Sequence, residues 1–244
     1  MEVRFRYWEG DLDGAWALIE REWQECIDWG AEPDLLYVAT HRGLLAIWRG
    51  ELADAAAVAD DAFERAQQLG GETALAIAMS VQVAAAAYQG RVDDARRYGN
   101  LALEISARNE LWRAGDWPRS MLGFLEVSLG RYPEALQYLE PRIAAVPDSP
   151  STEIDMAGFV PDVVEALTAV GRLDEVAPII SRMEANGTRL DRPWMLCVAY
   201  RGRASMLAAK GDLEAAEETA HRALIYHDRL PMPFERARTL LLLG

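Results

Sequence analysis

The side chains that most often carry catalysis or bind metals are few and scattered in this sequence. Its three histidines are His41, His221 and His227, and the last two are six residues apart, a spacing that does not put both on one helical face. No HExxH motif or Cys/His ligand set occurs. Carboxylates are abundant, but no acid/base pair stands out among them. We therefore expect surface or interface histidines, no catalytic residues, no metal, no cofactor and no enzymatic activity.

The two cysteines, Cys26 and Cys197, lie far apart in helical, mostly apolar segments. Their spacing fits neither a disulfide framework nor a metal site. We expect two buried, reduced thiols in a cytoplasmic protein, since such thiols behave as small apolar side chains.

Charge and hydropathy exclude two classes of partner. The chain has 25 basic and 39 acidic residues and a net charge of −14. Because so acidic a surface repels phosphate, we expect no direct nucleic-acid binding. The first residues contain no uninterrupted apolar segment typical of a signal peptide, and no window approaches the length of an uncharged membrane span. We therefore expect no contact with a membrane.

Glycines recur at a nearly constant interval. Steps of 40, 40, 40, 41 and 40 residues separate Gly10, Gly50, Gly90, Gly130, Gly171 and Gly211. Similar strings follow them, namely GDLDGA, GELADAA, GRVDDA, GRYPEA, GRLDEV and GDLEAA. Five positions after each glycine stands a small residue: Ala15, Ala55, Ala95, Ala135, Val176 or Ala216. Such internal periodicity is the signature of a repeat architecture.

Each part of the repeat has a physical reason. Glycine ends a helix in the left-handed conformation, the acidic residues after it favour the next helix start, and the small residue lets two helices approach closely. The sequence therefore predicts an all-α, right-handed superhelical solenoid of antiparallel helix pairs. About five full pairs, with partial repeats at both ends, would form one domain over residues 1–244.

The predicted helices follow from this register. The first helices of the pairs are predicted at 34–48, 73–88, 113–129, 155–170 and 194–209. The second helices are predicted at 12–29, 52–69, 92–109, 132–145, 173–186 and 213–229. Breaks between units are predicted at Gly30 to Pro33, Gly70-Gly71, Pro147 to Pro150 and Asn186-Gly187.

The pattern resembles the tetratricopeptide repeat. Aligned on the glycines, repeat position 8 holds the small residues Gly43, Gly123 and Ala204, and position 27 holds Ala62, Ala102 and Ala223. In other units position 8 is valine, and position 27 is Glu22, Arg142 or Met183. The period also exceeds the 34 residues of that motif. The resemblance implies a divergent array with long helices.

The run LPMPFERARTLLLLG (230–244) closes a segment, 192–244, with a more specific resemblance. It is similar to the distal repeats of large ATP-binding LuxR-type bacterial transcriptional regulators, the MalT-like group. Residues 1–190 fit the same array only generically. In such regulators an ATPase precedes the repeats and a helix-turn-helix DNA-binding domain follows them. This sequence contains neither a phosphate-binding loop nor a basic recognition helix.

The register also bears on the two ends. Continued past residue 244, it places the next glycine about seven residues beyond Gly244. The segment Phe234 to Gly244 is then a first helix cut midway, and Val3 to Trp8 is the tail of another. We hypothesise that the chain is a fragment of a longer protein. Half-repeats at its ends would favour a homo-oligomer through unpaired apolar faces, although the sequence does not decide the oligomeric state.

Tryptophans could fill the core or form a ligand cage. Trp16 and Trp23 are seven apart on one helix and share a face, and Trp29 lies near the end of that helix. We expect core residues, since large aromatic side chains at helical spacing usually fill gaps between helices.

The resemblance to tetratricopeptide stacks implies a ligand groove lined by the first helices, at repeat positions 2, 5, 9 and 12. Those positions hold Tyr37, Thr40, Leu44, Ser80, Trp117, Ser120, Phe124, Glu165, Arg201 and Ser205. The lysines and asparagines that clamp peptide carboxylates in chaperone-binding domains are missing. Aromatic rings, hydroxyls and one arginine favour a mixed small ligand or an apolar peptide.

The resemblances imply a regulatory sensor and protein-interaction module, binding an effector or partner protein in its groove and passing that state to domains outside this chain. The alternative is a stand-alone tetratricopeptide-like scaffold that assembles other proteins. The flanking sequence would distinguish the two.

Overall fold

A computed structural model of the chain describes residues 2–110, 112–145 and 151–244, without the side chains of 112–114 and 145. In this part of the chain there are fourteen helices and no strand. The helices are α1 Glu2–Trp8, α2 Leu12–Trp29, α3 Glu32–Arg49, α4 Leu52–Leu69, α5 Glu72–Tyr88, α6 Val92–Arg108, α7 Trp112–Ser128, α8 Tyr132–Ala145, α9 Ile154–Ala157, α10 Val160–Ala169, α11 Leu173–Leu190, α12 Pro193–Ala209, α13 Leu213–His227 and α14 Pro233–Leu243. From α2 to α6 and from α10 to α14 each helix packs against the next, which confirms an all-α, solenoid-like repeat fold.

The chain divides into two compact units. Unit 1 consists of Met1–Val3 with Leu12–Leu125, and unit 2 consists of Arg4–Asp11 with Glu126–Gly244. First helices of successive pairs also contact each other, α3 with α5 in unit 1 and α10 with α12 in unit 2. Each unit therefore contains the two kinds of helix contact that a repeat stack needs. The single domain over residues 1–244 stays a prediction.

The repeat glycines end helices as the sequence predicts. All six have φ between 70 and 90°. At Gly50 the backbone N–H donates to the carbonyl of Ile47 (N···O 3.0 Å), and that of Glu51 donates to Ala46 (2.8 Å). These bonds satisfy carbonyls that the helix end leaves without partners. The small residues five positions later are all buried: Ala15, Ala55, Ala95, Ala135, Val176 and Ala216.

The predicted break at Asn186-Gly187 is wrong, because helix α11 continues to Leu190. Gly187 lies in the helix interior, where a Cβ would stand 2.9 Å from Leu196 Cγ and 3.0 Å from Met195 Cβ. The glycine therefore lets α11 approach α12 instead of ending the helix. The residue that caps this helix end is Asp191, which takes the left-handed conformation (φ 52°).

The predicted helix 155–170 is divided into α9 and α10. Pro161 is the second residue of α10, a position where its missing N–H costs nothing and its fixed φ suits a helix start. Pro161 therefore favours the start of a new helix at this position over the continuation of α9. The break predicted at Pro147 to Pro150 lies outside the described residues.

In unit 1, arginines alternate with the tryptophans of α2. The Arg42 guanidinium carbon lies 5.8 Å from the Trp16 ring centroid and 5.0 Å from that of Trp23. Arg49 flanks Trp16 and Arg65 flanks Trp23, each at 5.4 Å. Trp23 is buried between arginines of α3 and α4, as expected of a core residue. Trp16 is only half-buried and lies between two arginines of α3. The expectation is wrong for the third tryptophan of α2, Trp29, which is 79% exposed.

Polar contacts join residues 4–8 of α1, which belong to unit 2, to a later part of that unit. Asp155, which is almost buried, accepts a hydrogen bond from Trp8 Nε1 (2.9 Å to Oδ1) and pairs with Arg4. Sequence patterns do not indicate these contacts, because the partners are separated by roughly 150 positions along the chain.

Among the described helices, none combines the length and apolar character that a membrane-spanning helix requires.

The close approach at Gly187 gives a direct test of the packing. We expect Gly187→Ala to lower the free energy of unfolding by about 1–3 kcal/mol, because overpacking outweighs the higher helix propensity of alanine. The control is Gly115→Ala in α7, where a Cβ would meet its nearest neighbour at an ordinary 3.5 Å. Urea unfolding of both variants measures the difference. Equal stability of the two would contradict this account of the α11–α12 contact.

Candidate functional site

The ten predicted groove residues lie on the first helices, as the repeat register requires, and eight of them line two cavities. The cavity of unit 1 is lined by Tyr37, Thr40, Leu44, Ser80 and Trp117 from the predicted set. The cavity of unit 2 is lined by Glu165, Arg201 and Ser205. The remaining two, Ser120 and Phe124, are buried.

The cavity of unit 1 lies between helices α3, α5 and α7 and has a volume of about 320 Å³. Gly43, Ile77, Val81 and Ala84 complete its wall. A Cβ on Gly43 would stand 2.7 Å from Val81 Cγ1, so α3 and α5 touch directly at the floor of the cavity. Tyr37 is 62% exposed and stands at the solvent side. The arrangement is a concave, mainly apolar pocket with a few polar groups, as is typical of small-ligand sites.

Besides the Tyr37 phenol, two hydroxyl groups line this cavity, and both already donate their protons. Thr40 Oγ1 donates to the carbonyl of Tyr37 (2.6 Å), and Ser80 Oγ donates to the carbonyl of Ala76 (2.9 Å). Thr40 Oγ1 also lies 3.3 Å from His41 Nδ1. What these two hydroxyl groups can still offer a ligand is a lone pair on the oxygen. The cavity can therefore accept hydrogen bonds from a ligand that carries an N–H or O–H group.

Ser120 and Phe124 contribute to the packing around α7. The Ser120 hydroxyl donates to the carbonyl of Asp116 (2.9 Å). Phe124 stacks on Tyr88 of α5, with ring centroids 4.3 Å apart and an interplanar angle of 20°. Neither Ser120 nor Phe124 is open to solvent. The stacked rings of Phe124 and Tyr88 fill space between the two first helices.

The cavity of unit 2 is bounded by α10, α12 and α14 and has a volume of about 260 Å³. Its apolar wall consists of Pro161, Val164, Val198, Leu241 and Leu242. Its polar wall contains Arg238 besides the predicted Glu165, Arg201 and Ser205.

A buried ion network stands behind that polar wall. Arg201 donates to Glu235 twice, from Nη2 to the carboxylate Oε2 (2.5 Å) and from Nη1 to the backbone carbonyl (2.9 Å). Arg238 Nη2 donates to Glu165 Oε2 (2.7 Å), and its Nη1 lies 3.0 Å from Asp162 Oδ1. Sequence reasoning missed Asp162, Glu235 and Arg238. The only local signal is the density of charge in α14, which is also typical of an exposed helix.

Burial and the attraction between opposite charges shift the pKa values of this network in different directions. Burial raises the pKa of Asp162 to about 7, and the Arg238 charge offsets only part of that effect. Burial acts in the same direction on Glu235, but Arg201 and Arg238 outweigh it and hold its pKa at about 2. Burial, assisted by the Arg201 charge, lowers the pKa of His227 to about 4.

Two expectations about single residues are wrong. His227 is buried, with its Nε2 2.9 Å from Thr239 Oγ1, because it faces α14 instead of solvent. Cys26 is only half-buried, since it lies near the exposed end of α2.

The other cysteine and the remaining histidine of unit 2 agree with expectation. Cys197 is buried, and burial raises the pKa of its thiol to about 12. His221 is exposed, 3.8 Å from Glu217.

No three His, Cys, Asp or Glu side chains in the described ranges form a group that could hold a metal ion.

Comparison with known proteins bears on the fold. No family model matches the chain, and no curated protein matches it. The crystal structure of BtubC (BKLC) from P. vanneervenii is similar, with a TM-score of 0.62 over 89% of this chain and 91% of that chain, at 19% sequence identity. At this identity the likeness shows the fold alone.

The pKa values of Asp162 and His227 predict opposite effects of pH on stability. The raised pKa of Asp162 contributes stability that is present at low pH and lost as pH rises towards about 7. The lowered pKa of His227 contributes stability that is present above its ordinary value of 6.5 and lost as pH falls towards about 4. Between about pH 4 and about pH 7, a rise in pH therefore lowers the free energy of unfolding through Asp162 and raises it through His227.

We therefore expect Asp162→Asn to reveal the contribution of His227. Between about pH 5 and about pH 7 the free energy of unfolding of this variant should rise more steeply than that of the wild type, by on the order of 1–3 kcal/mol. Urea unfolding at four pH values measures the slope. Asp174→Asn, at an exposed position of α11, is the control and should follow the wild type. Identical slopes for all three proteins would contradict this description of the network.

Proposed function

We propose that this chain is a non-catalytic sensor and interaction module that binds an effector in the cavity of unit 1. The observation that carries the proposal is the convergence of five residues, predicted separately from their repeat positions, on that one cavity. They come from three different repeats: Tyr37, Thr40, Leu44, Ser80 and Trp117.

The lining of the cavity limits the chemistry of the effector. None of the nine residues that line the cavity in the described part of the chain is charged. The buried part of the effector should therefore be neutral, since burying an unpaired charge is costly. Trp117 and Leu44 offer apolar contact, and the hydroxyl oxygens of Thr40 and Ser80 can accept hydrogen bonds. The ligand class that fits is a small compound, or the side chain of a bound peptide, with an apolar body and an N–H or O–H donor.

The position of the cavity suggests how binding would be communicated. Residues of α3, α5 and α7 belong to successive repeats, so one ligand would contact three repeats at once. In a stack of repeats each unit contacts only its neighbours, and small changes at each contact bend the whole stack. A ligand that binds one curvature of the stack more tightly than another would shift the population of molecules towards that conformation.

The protein to which such a sensor would belong is, in our proposal, a cytoplasmic transcriptional regulator of the LuxR-type, MalT-like group. The support is the resemblance of segment 192–244 to the distal repeats of those regulators. Reading the coding frame on both sides of this chain tests the assignment. We expect a phosphate-binding loop upstream and a basic helix-turn-helix segment downstream. A frame without either module would favour the stand-alone scaffold.

Ligand binding in the cavity can be tested independently of that assignment. A thermal-shift screen should use compounds that carry an apolar ring and one N–H or O–H donor. At a concentration of 100 Kd a hit stabilises the folded state by about 2.7 kcal/mol. We expect Trp117→Ala to abolish the shift and Trp29→Ala, at an exposed tryptophan outside the cavity, to retain it. A hit that stabilises both variants equally would place its binding site elsewhere.

A further inference from the structure

The cavity of unit 2 has an unbalanced set of charges. Three carboxylates, those of Asp162, Glu165 and Glu235, share the two guanidinium groups of Arg201 and Arg238. With all five groups ionised, the cluster carries one negative charge in excess. Because the cluster is largely buried, water compensates that excess poorly.

The guanidinium groups have little left to offer an anion. Arg201 is occupied by the carboxylate and the backbone carbonyl of Glu235. Arg238 contacts all three carboxylates, at 2.7 Å to Glu165, 3.0 Å to Asp162 and 3.5 Å to Glu235. An anionic ligand would have to displace these partners and would enter a chain of net charge −14.

Hydrogen-bond acceptors, in contrast, stand at the wall of the cavity. Glu165 is half-exposed and pairs with Arg238 through Oε2, which leaves Oε1 for a further donor. The Ser205 hydroxyl donates to the carbonyl of Arg201 (3.1 Å), so its oxygen can still accept. The rest of the wall is apolar, formed by proline, valine and leucine side chains.

From this arrangement we propose that the cavity of unit 2 binds a primary ammonium group carried on a short apolar chain or ring. The ammonium group lies against the Glu165 carboxylate and the Ser205 hydroxyl, and the apolar part lies against Val164, Val198 and Leu241. This site goes beyond the proposed function, because it lies in unit 2 and not in unit 1. Its ligand also differs, since it carries a positive charge, whereas the effector proposed for the cavity of unit 1 is neutral.

Binding at this site is linked to the ionisation of Asp162. That carboxyl faces Glu165 on its own helix, Arg238 and Glu235 on α14, and, through Glu235, Arg201 on α12. His227 and the Cys197 thiol also face the Arg201–Glu235 pair, and both are neutral near pH 7. Asp162, with its pKa of about 7, is the group that changes charge in this range. A bound ammonium favours its ionised form, so affinity rises with pH.

Isothermal titration of the intact chain with 2-phenylethylamine, which is charged at neutral pH, tests the proposal. The matched probes are 2-phenylethanol, which lacks the charge, and 3-phenylpropionate, which reverses it. We expect the amine to bind at least about 10-fold more tightly than either, a difference of about 1.4 kcal/mol. 2-Phenylethanol also fits the ligand class proposed for the cavity of unit 1. The three titrations are therefore run on the wild-type protein and repeated on Trp117→Ala, and binding that Trp117→Ala retains is assigned to unit 2.

Two variants locate the site. Glu165→Gln should weaken binding of the amine about 10-fold. Its control, Glu175→Gln, removes the partner of Arg172 on the exposed surface of the same unit (2.6 Å) and should leave the affinity unchanged. Asp162→Asn should remove the rise in affinity between about pH 6 and about pH 8. Circular dichroism confirms that each variant is folded.

Four results would overturn the proposal. Tighter binding of 3-phenylpropionate would show an anion site, and equal binding of the amine and the alcohol would show that charge is not recognised. An amine affinity that is the same in Glu165→Gln as in the wild type, or no binding of any probe, would also overturn the proposal. None of these results would affect the proposal for the cavity of unit 1, because that proposal is tested by the loss of ligand binding in Trp117→Ala.

Discussion

The structure depends on how closely antiparallel helices can approach each other within a repeat. Glycines with positive φ end the helices, and five positions later a small buried residue lies at the contact. The same requirement reappears inside helices, where Gly43 and Gly187 leave no room for a Cβ. The Gly43 contact joins α3 to α5. In α12, Gly202 similarly faces α10, where a Cβ would stand 2.9 Å from Val164 Cγ1. Such glycines therefore also set the distance between the first helices that line the two cavities.

The parts of the fold that could be predicted are those encoded locally. A glycine with an acidic string after it marks a helix end and the next start, so most helix bounds agree with the structure to within a few residues. The exceptions are instructive. The prediction fails at Gly187 because a single sequence does not distinguish a glycine that ends a helix from one that allows close packing. It also fails at Pro161, which begins a new helix instead of continuing a long one.

The candidate site was predictable only in part, for a related reason. Repeat positions predict which side chains face a groove, and eight of the ten predicted residues line a cavity. Repeat positions do not show which of them are covered, and Phe124 is buried by its stacking on Tyr88. Nor do they reveal partners far along the chain. Arg238 pairs with Glu165 across 73 positions, and the charged character of unit 2 arises from such pairs. Two cavities of similar size therefore differ in chemistry, one neutral and one charged.

The central claim is that the cavity between α3, α5 and α7 is a binding site. A crystallographic fragment screen tests it most directly, because it locates every bound fragment on the protein even while the natural effector is unidentified. The account predicts that neutral fragments with an apolar ring and a hydrogen-bond donor occupy this cavity, with the donor towards the hydroxyl oxygen of Thr40 or Ser80. Fragments that bind only at other surfaces, with the space beside Trp117 left empty, would contradict it.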